Sequence, residues 1–520
     1  MRMRMLTLVG ILVVMANAQI VWNPEIPISR VDSIPSYLSS NNARAIAVGQ
    51  DKKIHIVWDE ERSLYPDVHW GIWYRSSEDA GNSWAPETCI SFPIYFQNDV
   101  LDYINESPTI AMIEPGKVNV LWDGYDETIL YEFVFYFYSP DNGHTWEFGM
   151  NGQYWASDPP SGFNSLCSDG RNYLLFYDMQ FVPQYSEYRL LGMASTDGGA
   201  SWQGNANWHG WTTTGDGIPC TACDSNDVGY LVWPAVVTSS HLSVIMFGYA
   251  SGTESQVVPY PGSGSRGDPF IESNLAGKLY LVWYDSRDGN SEIYFKKSTN
   301  GGATWSSDQR LTNASGSSTE PAIVLGGQGK IYLVWIDTRD GNSEVYFKYS
   351  EDDGTTWSQD IRLTNNPGAC SCPHIAISPD KQNLYVVWND TRNGQEEVYF
   401  KKGTILIGIS ESSERGKANT ICFNIIPNPF REKAEIRLQN SGLGITHLTI
   451  YDISGRLIRQ LTFHCRENSQ YTESGHLTDY QSSIIWDGTD DSGRRLPAGI
   501  YFIRVESDEF KETEKVILLR

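Results

Sequence analysis

The chain has 520 residues and carries 39 Lys and Arg against 63 Asp and Glu, a formal charge of −24. A surface of that sign repels phosphate backbones and anionic lipid heads, which excludes a basic nucleic-acid interface and electrostatic attachment to a membrane. Charged residues make up only 20% while aromatics reach 13%, with 18 Trp, 29 Tyr and 46 Gly, which excludes a disordered or coiled-coil chain and points to a rigid, turn-rich one.

Arg2 and Arg4 precede an apolar run from Met5 to Met15, and Ala16-Asn17-Ala18 supplies the small-x-small pattern that a signal peptidase reads. Residues 1–18 are therefore expected to be a signal peptide, with an exported mature chain from Gln19. The run is too short to cross roughly 30 Å of hydrocarbon, and no later stretch offers roughly 20 consecutive apolar residues, so no transmembrane segment is expected in the mature chain.

The middle of the chain is one unit repeated. Lys278-Leu-Tyr-Leu-Val-Trp283-Tyr-Asp285-Ser-Arg287 continues to Phe295 and recurs almost verbatim around Trp335 and Trp388, with weaker copies centred on Trp58, Trp122, Phe176 and Trp233. A period near fifty residues falls in the range of propellers and solenoids. Within a unit the apolar residues alternate, as in Ile331-Tyr-Leu-Val-Trp335 and Glu344-Val-Tyr-Phe347, and the Asp-Gly or Asn-Gly dipeptides at 288–289, 340–341 and 393–394 mark hairpins. A third strand precedes each pair and a fourth follows, which describes the four-stranded blades of a β-propeller.

Between the third and fourth strands stands S-x-D-x-G-x-x-W. It reads Ser77 to Trp84 with Asp79, Ser139 to Trp146 with Asp141, Ser195 to Trp202 with Asp197, and Ser350 to Trp357 with Asp352. A fifth copy, Ser298 to Trp305, carries Asn300 in place of Asp. The Asp or Asn accepts turn N–H groups, the Gly takes a positive φ, and the Trp is placed to pack between sheets. At these residues the chain resembles the Asp-box, or bacterial neuraminidase repeat, family of sialidase-like propellers. The resemblance implies that the boxes are structural and lie on the face opposite an active site. The expected fold is all-β, a seven-bladed propeller over residues 19–405, with six blades, the number usual for sialidases, as the alternative.

The seventh unit stops at Val398-Tyr-Phe-Lys-Lys402 without a box or a fourth strand, and Val21-Trp22-Asn-Pro-Glu-Ile-Pro-Ile-Ser29 has the layout of Trp305 to Thr312. Residues 21–29 are thus expected to supply the outer strand of the last blade and to cover an open edge.

Residues 406–419 read as a Ser-, Glu- and Gly-rich linker. The remainder, 420–520, carries Pro427-Asn-Pro-Phe430, Leu448-Thr-Ile-Tyr451-Asp-Ile-Ser-Gly455, Trp486-Asp-Gly488 and Pro497-Ala-Gly499-Ile-Tyr501. Alternating strands and Gly-marked turns suggest a small immunoglobulin-like β-sandwich. These motifs, in this order, resemble the type A C-terminal sorting domain of the type IX secretion system. The resemblance implies a chain secreted by, or displayed on the outer membrane of, a Gram-negative bacterium, with that machinery as a partner. The alternative is an ordinary spacer domain.

The chemistry is expected on the face opposite the boxes, where the connections of blades one to three lengthen and include Tyr95 and Phe96, then Tyr154, Trp155 and Phe163, then Trp208, His209 and Trp211. Tyr154, Trp155, Trp208 and Trp211 are candidate ligand platforms, because exposed rings suit the C–H faces of sugars; packing the loops down is the alternative. The sialidase resemblance implies an arginine cluster for a substrate carboxylate, an acid and a nucleophile. Arg44 stands where the family's first arginine opens the inner strand of blade one, Asp67 is the candidate acid, and Arg266, opening the inner strand of blade five, is a second candidate clamp. Glu320 and His374 hold the corresponding starts of blades six and seven, so a third arginine and a Tyr–Glu nucleophile pair are missing. The arginine four residues after the tryptophan recurs as Arg62, Arg287, Arg339 and Arg392, and its repetition points to structure.

No cofactor is expected. Calcium could sit on Asp285, Asp288 and Glu292 or on Asp337, Asp340 and Glu344, with solvated hairpin carboxylates as the simpler account. The eight cysteines allow 105 disulfide connectivities. The C-x-x-C at 220–223 and the C-x-C at 370–372 fit halves of a thiolate metal site, local disulfides or buried thiols, the latter two favoured because further ligands are missing at the right spacing. Two readings follow. One is a monomeric exported propeller that binds extracellular glycan or glycoprotein. The other is an exo-acting glycoside hydrolase using Arg44, Asp67 and Arg266.

Overall fold

The computed structural model describes residues 19–406 and 422–519, apart from 33, 40–43, 63–69, 92–94, 97–98, 101–102, 127–130, 150–163, 183–186, 206–218, 237–239, 249–250, 259–264, 275, 427–429, 432, 440–444, 454–455, 465–480 and 508–509. The chain forms two compact units, residues 19–406 and the C-terminal part. Every regular element among the described residues is a β-strand. No helix there is long and apolar enough to cross a membrane.

Among the described residues of the first unit, seven antiparallel sheets of four or five strands follow one another along the chain, besides a two-stranded pair of Tyr95–Phe96 with Asp99–Val100. Their inner strands are Ile46–Val48, Tyr103–Ile113, Asn164–Ser168, Cys220–Cys223, Arg266–Ser273, Ser318–Gly327 and Cys370–Ile377. Each lies beside the next, and Cys370–Ile377 lies beside Ile46–Val48, so the sheets form a closed ring around a channel. The repeated tryptophans Trp58, Trp122, Trp233, Trp283, Trp335 and Trp388 are fully buried, with Phe176 filling the same place in blade three.

The boxes work as their residue types predict. Asp141 Oδ1 accepts the Thr145 N–H at 2.7 Å, and Ser139 Oγ accepts the Gly143 N–H at 2.7 Å. Asn300 does the same through its amide, accepting the Thr304 N–H at 2.9 Å and donating to the Thr304 hydroxyl. Gly143 has φ +87°, and a Cβ there would overlap the Tyr74 hydroxyl of the preceding blade. Four of the five box tryptophans then bind blade to blade, edge-on to a third-strand ring of the blade before them. Trp146 meets Tyr74 at 4.9 Å, Trp202 meets Tyr136 at 5.0 Å, Trp357 meets Phe295 at 5.4 Å, and Trp84 meets Phe400 across the closure at 5.0 Å. Such pairs contribute about 1 kcal/mol each beyond their buried area.

Blade seven is completed by the N-terminal segment. Gln19–Trp22 and Ile26–Pro27 pair antiparallel with Glu397–Leu406, Gln19 opposite Leu406 and Ile26 opposite Phe400. Trp22 takes the place of a box tryptophan, 5.1 Å edge-on to Phe347 of blade six. Glu25, three residues later, pairs with Arg392 at 2.7 Å and Lys401 at 3.2 Å. Asp308 and Asp360 make the same contacts to Arg287 and Lys296, and to Arg339 and Lys348.

Those arginines explain the repeated hairpin carboxylates. Asp285 is buried and accepts from the Arg287 N–H and Nε, both at 2.8 Å, while Glu292 takes Arg310 at 2.8 Å and the Thr312 hydroxyl at 2.5 Å. Asp285, Glu292, Asp337 and Glu344 are buried rather than solvated, while Asp288 and Asp340 are exposed as the simpler sequence account expected; cationic side chains and hydroxyls already occupy oxygens a calcium ion would need. The C-x-x-C at 220–223 also divides. Cys223 bonds Cys167, 56 residues away, tying the inner strands of blades three and four, whereas Cys220, Cys370 and Cys372 are free thiols.

The C-terminal unit has a three-stranded sheet, Cys422–Ile426, Ala434–Gln439 and Gln481–Trp486. A four-stranded sheet is ordered Leu457–His464, Ile445–Asp452, Gly499–Ser507 and Phe510–Leu518. Phe430, Ile436, Leu448, Ile450, Trp486, Tyr501, Ile503 and Val516 form one buried core, the arrangement of a small β-sandwich.

Candidate functional site

Register fixes which end of the channel is which. Ile54, at the start of a second strand, pairs with Ser77, where the box begins, so the inner strands end on the box face and begin on the opposite, top face. At the top several inner strands are bulged. The register shifts at Glu106/Thr109, Gly267/Phe270, Thr319/Ala322 and Ser371/His374. The residue at each bulge precedes a proline and has positive φ: Ser107 at 56°, Asp268 at 46°, Glu320 at 52° and Cys372 at 49°. The extra residue of a bulge turns a side chain out of the alternating pattern, and here it places these four at the upper mouth of the channel.

The bulges are linked by carboxylates. Asp59 accepts the Ser107 N–H at 3.3 Å, the Asp268 carboxylate accepts the Glu320 N–H, and Glu320 accepts the Cys372 N–H at 2.6 Å. Burial pushes Asp268 up to about 6. Burial, with the charges of Asp268 and Glu396 nearby, pushes Glu320 up to about 7. Burial also raises Asp59, with help from Glu106, and the Cys372 thiol, which faces Glu320. The mouth is therefore acidic and suited to accept hydrogen bonds. Near neutral pH burial keeps part of these carboxyl groups protonated, so the mouth can donate hydrogen bonds as well as accept them. Among the described residues no group of three His, Cys, Asp or Glu is placed to hold a metal ion.

Arg44 lies one step deeper, its N–H on the Thr109 hydroxyl at 3.2 Å. Its guanidinium crosses the channel to donate to the Thr221 carbonyl at 2.7 Å, the Ile271 carbonyl at 3.3 Å and Glu272 Oε1 at 3.1 Å, with the Phe270 ring 5.2 Å away. Burial opposes the charge, and Glu272 more than restores it. The two carbonyls belong to inner-strand edges that face the channel without a neighbouring strand, so Arg44 satisfies groups that would otherwise be left in a narrow space. Both terminal nitrogens, Nη1 and Nη2, are engaged by protein acceptors before any ligand arrives.

Of the other predicted site residues, Arg266 begins the inner strand of blade five opposite Asp285, and its side chain is outside the described structure. Asp67, Tyr154, Trp155, Trp208 and Trp211 also lie outside the described residues. One correspondence needs correction. By register the equivalents of Arg266 are Ser318 and Cys370, while Glu320 matches Asp268 and Cys372, and His374 matches Phe270. The bulge shifts the count by two. Sequence reasoning missed Glu272 and the bulges, although it named Glu320 and Cys372; the signal for the bulges was the repeated X-Pro at 107–108, 268–269, 320–321 and 372–373.

The top face is stepped. In blades five to seven the second and third strands end two residues past the buried tryptophan, as at Asp285 opposite Glu292. In blade two they run four residues past Trp122, to Asp126 opposite Tyr131. In blade three they run six past Phe176, to Val182 opposite Glu187. At about 3.3 Å per residue the blade-three hairpin is about 13 Å longer than those of blades five to seven.

No family model matches the chain, and no curated protein matches it. Among solved structures it is similar to a protein of unknown function from Dyadobacter fermentans, at 14% identity over 74% of this chain and 99% of that one, with a TM-score of 0.47. A PL25 ulvan lyase aligns at 11% identity over 70% and 92%, TM-score 0.48. The intramolecular trans-sialidase of Ruminococcus gnavus aligns at 12% over 71% and 96%, TM-score 0.39. Likeness at these values assigns no activity to this chain.

Proposed function

We propose that the protein is an exported propeller that binds extracellular glycan or glycoprotein on its top face without transforming it. The observation that carries this reading is the stepped top face: long hairpins of blades two and three stand beside the acidic channel mouth and the low rim of blades five to seven, giving a one-sided surface for an extended ligand. The Arg44 guanidinium, already bonded to Glu272 and two carbonyls, argues against a clamp for an anionic sugar. Export through the type IX machinery, with residues 420–520 as the sorting domain and the cell surface or medium as destination, is the companion proposal.

The mature chain from Gln19 would be tested on a glycan array and against aryl sialosides and a wider aryl-glycoside panel. Retention of a glycan class with no turnover supports the reading. Turnover abolished by Asp67→Asn would replace it with the glycoside hydrolase. For export, residues 403–520 fused to a reporter behind a signal peptide should carry it to the surface of a host with type IX secretion; periplasmic retention would reduce the domain to a spacer.

A further inference from the structure

Below Arg44 the channel opens into a second compartment, on the face opposite the proposed ligand surface. It is a cavity of about 310 Å³, room for about ten waters or a ligand of about ten non-hydrogen atoms. Its walls include Ile46, Val48, Met112, Val324 and Ala376 together with the Cys167–Cys223 disulfide. Carboxylates stand at both ends. Glu272 is at the closed end, about one-fifth exposed, and its only hydrogen-bond partner among the described residues is Arg44. Glu114 is at the box end, accepting the N–H groups of Gln50 at 2.7 Å and Gly116 at 3.3 Å.

We infer that this compartment binds a small organic cation, an ammonium on a compact apolar body. The apolar walls favour a body that displaces loosely held water. The charge of Arg44 is matched by Glu272 and two carbonyls, which leaves Glu114 to set the sign of the field at the entrance. Lys381 is the basic side chain that faces Glu272 from the box side. It reaches the Leu325 carbonyl at 3.5 Å and is exposed to solvent. An anion would depend on Lys381; a cation would depend on Glu114, with Glu272 cancelling the charge of Arg44.

The test is isothermal titration of the mature chain with three shape-matched probes, 1-adamantylammonium, 1-adamantanol and 1-adamantanecarboxylate. The ammonium should bind at least about ten-fold more tightly than the other two. Ala376→Phe, which fills the cavity, should remove the binding. Glu114→Gln and Glu272→Gln should bring the ammonium down to the level of the alcohol, and Lys381→Met should leave it unchanged or tighter. Because Glu272→Gln disturbs Arg44, Glu114→Gln keeps the test decisive if that variant fails to fold. Heat from none of the probes, equal binding of amine and carboxylate, or undiminished binding by Ala376→Phe would overturn the inference.

Discussion

Arg44 on blade one and Glu272 on blade five form an ion pair of 3.1 Å across the central channel. The pair joins blades that are not neighbours in the ring, and it divides an acidic upper mouth from the cavity below. A pair so enclosed is defined by what happens when one partner is lost.

Arg44→Met should destabilise the fold by about 3 kcal/mol in denaturant unfolding, because it strands the Glu272 charge and two channel carbonyls. Glu272→Met should cost a similar amount. The double variant should recover part of the sum, since neither charge is then left alone. A clamp kept for substrate would behave differently: Arg44→Met would leave stability nearly intact and remove only ligand affinity.

Removal of residues 19–27 should lower the melting temperature sharply, because it takes away the outer strand of blade seven and exposes the edge of Glu397–Leu406. Trp22→Ala alone should cost about 2 kcal/mol through its lost contact with Phe347. An unchanged melting curve for the deletion would contradict closure by this segment.

Two sets of carboxylates pull stability in opposite directions with pH. Thr145 and Ser201 donors hold Asp141 and Asp197 at about 2, below their ordinary 3.8, so their contribution is present above about pH 4 and is lost as pH falls toward 2. Burial holds Asp268 and Glu320 at about 6 and about 7, above their ordinary 3.8 and 4.5, so they favour the folded state at low pH and that contribution is lost as pH rises through 6 to 7. Because that loss begins as pH passes their ordinary values, the melting temperature should peak near about pH 4. Asp268→Asn with Glu320→Gln should flatten the fall toward neutral pH, and Asp197→Asn should flatten the fall toward acid; a maximum near pH 8 would contradict these assignments.

Most of the fold was legible because it is written locally and repeated. The tryptophan period, the box and the Asn-Gly or Asp-Gly hairpins each state a strand or a turn within eight residues, and the layout Trp22 to Ser29 was enough to place the closing strand. The site was less legible. Arg44 and Glu272 are 228 residues apart, and Cys167 and Cys223 belong to different blades, so nothing local announces either pair. The bulges moved the comparison of Arg266, Glu320 and His374 by two positions, since a bulge breaks the alternation on which such counting rests. Glu292 and Glu344 looked solvated because their cationic partners, Arg310 and Arg362, lie 18 residues away on the outer strand.

The most direct test of the account is ligand retention by the mature chain with the blade-three hairpin trimmed to the height of blades five to seven, residues 179–190 being replaced by a tight Asn-Gly turn. Asp178 and Leu191 pair at the base of that hairpin, so the sheet below is left whole. The account predicts an unchanged melting temperature, loss of glycan binding on the array, and no aryl-glycoside turnover before or after trimming. Undiminished binding by the trimmed chain, or hydrolysis by the intact one, would contradict it.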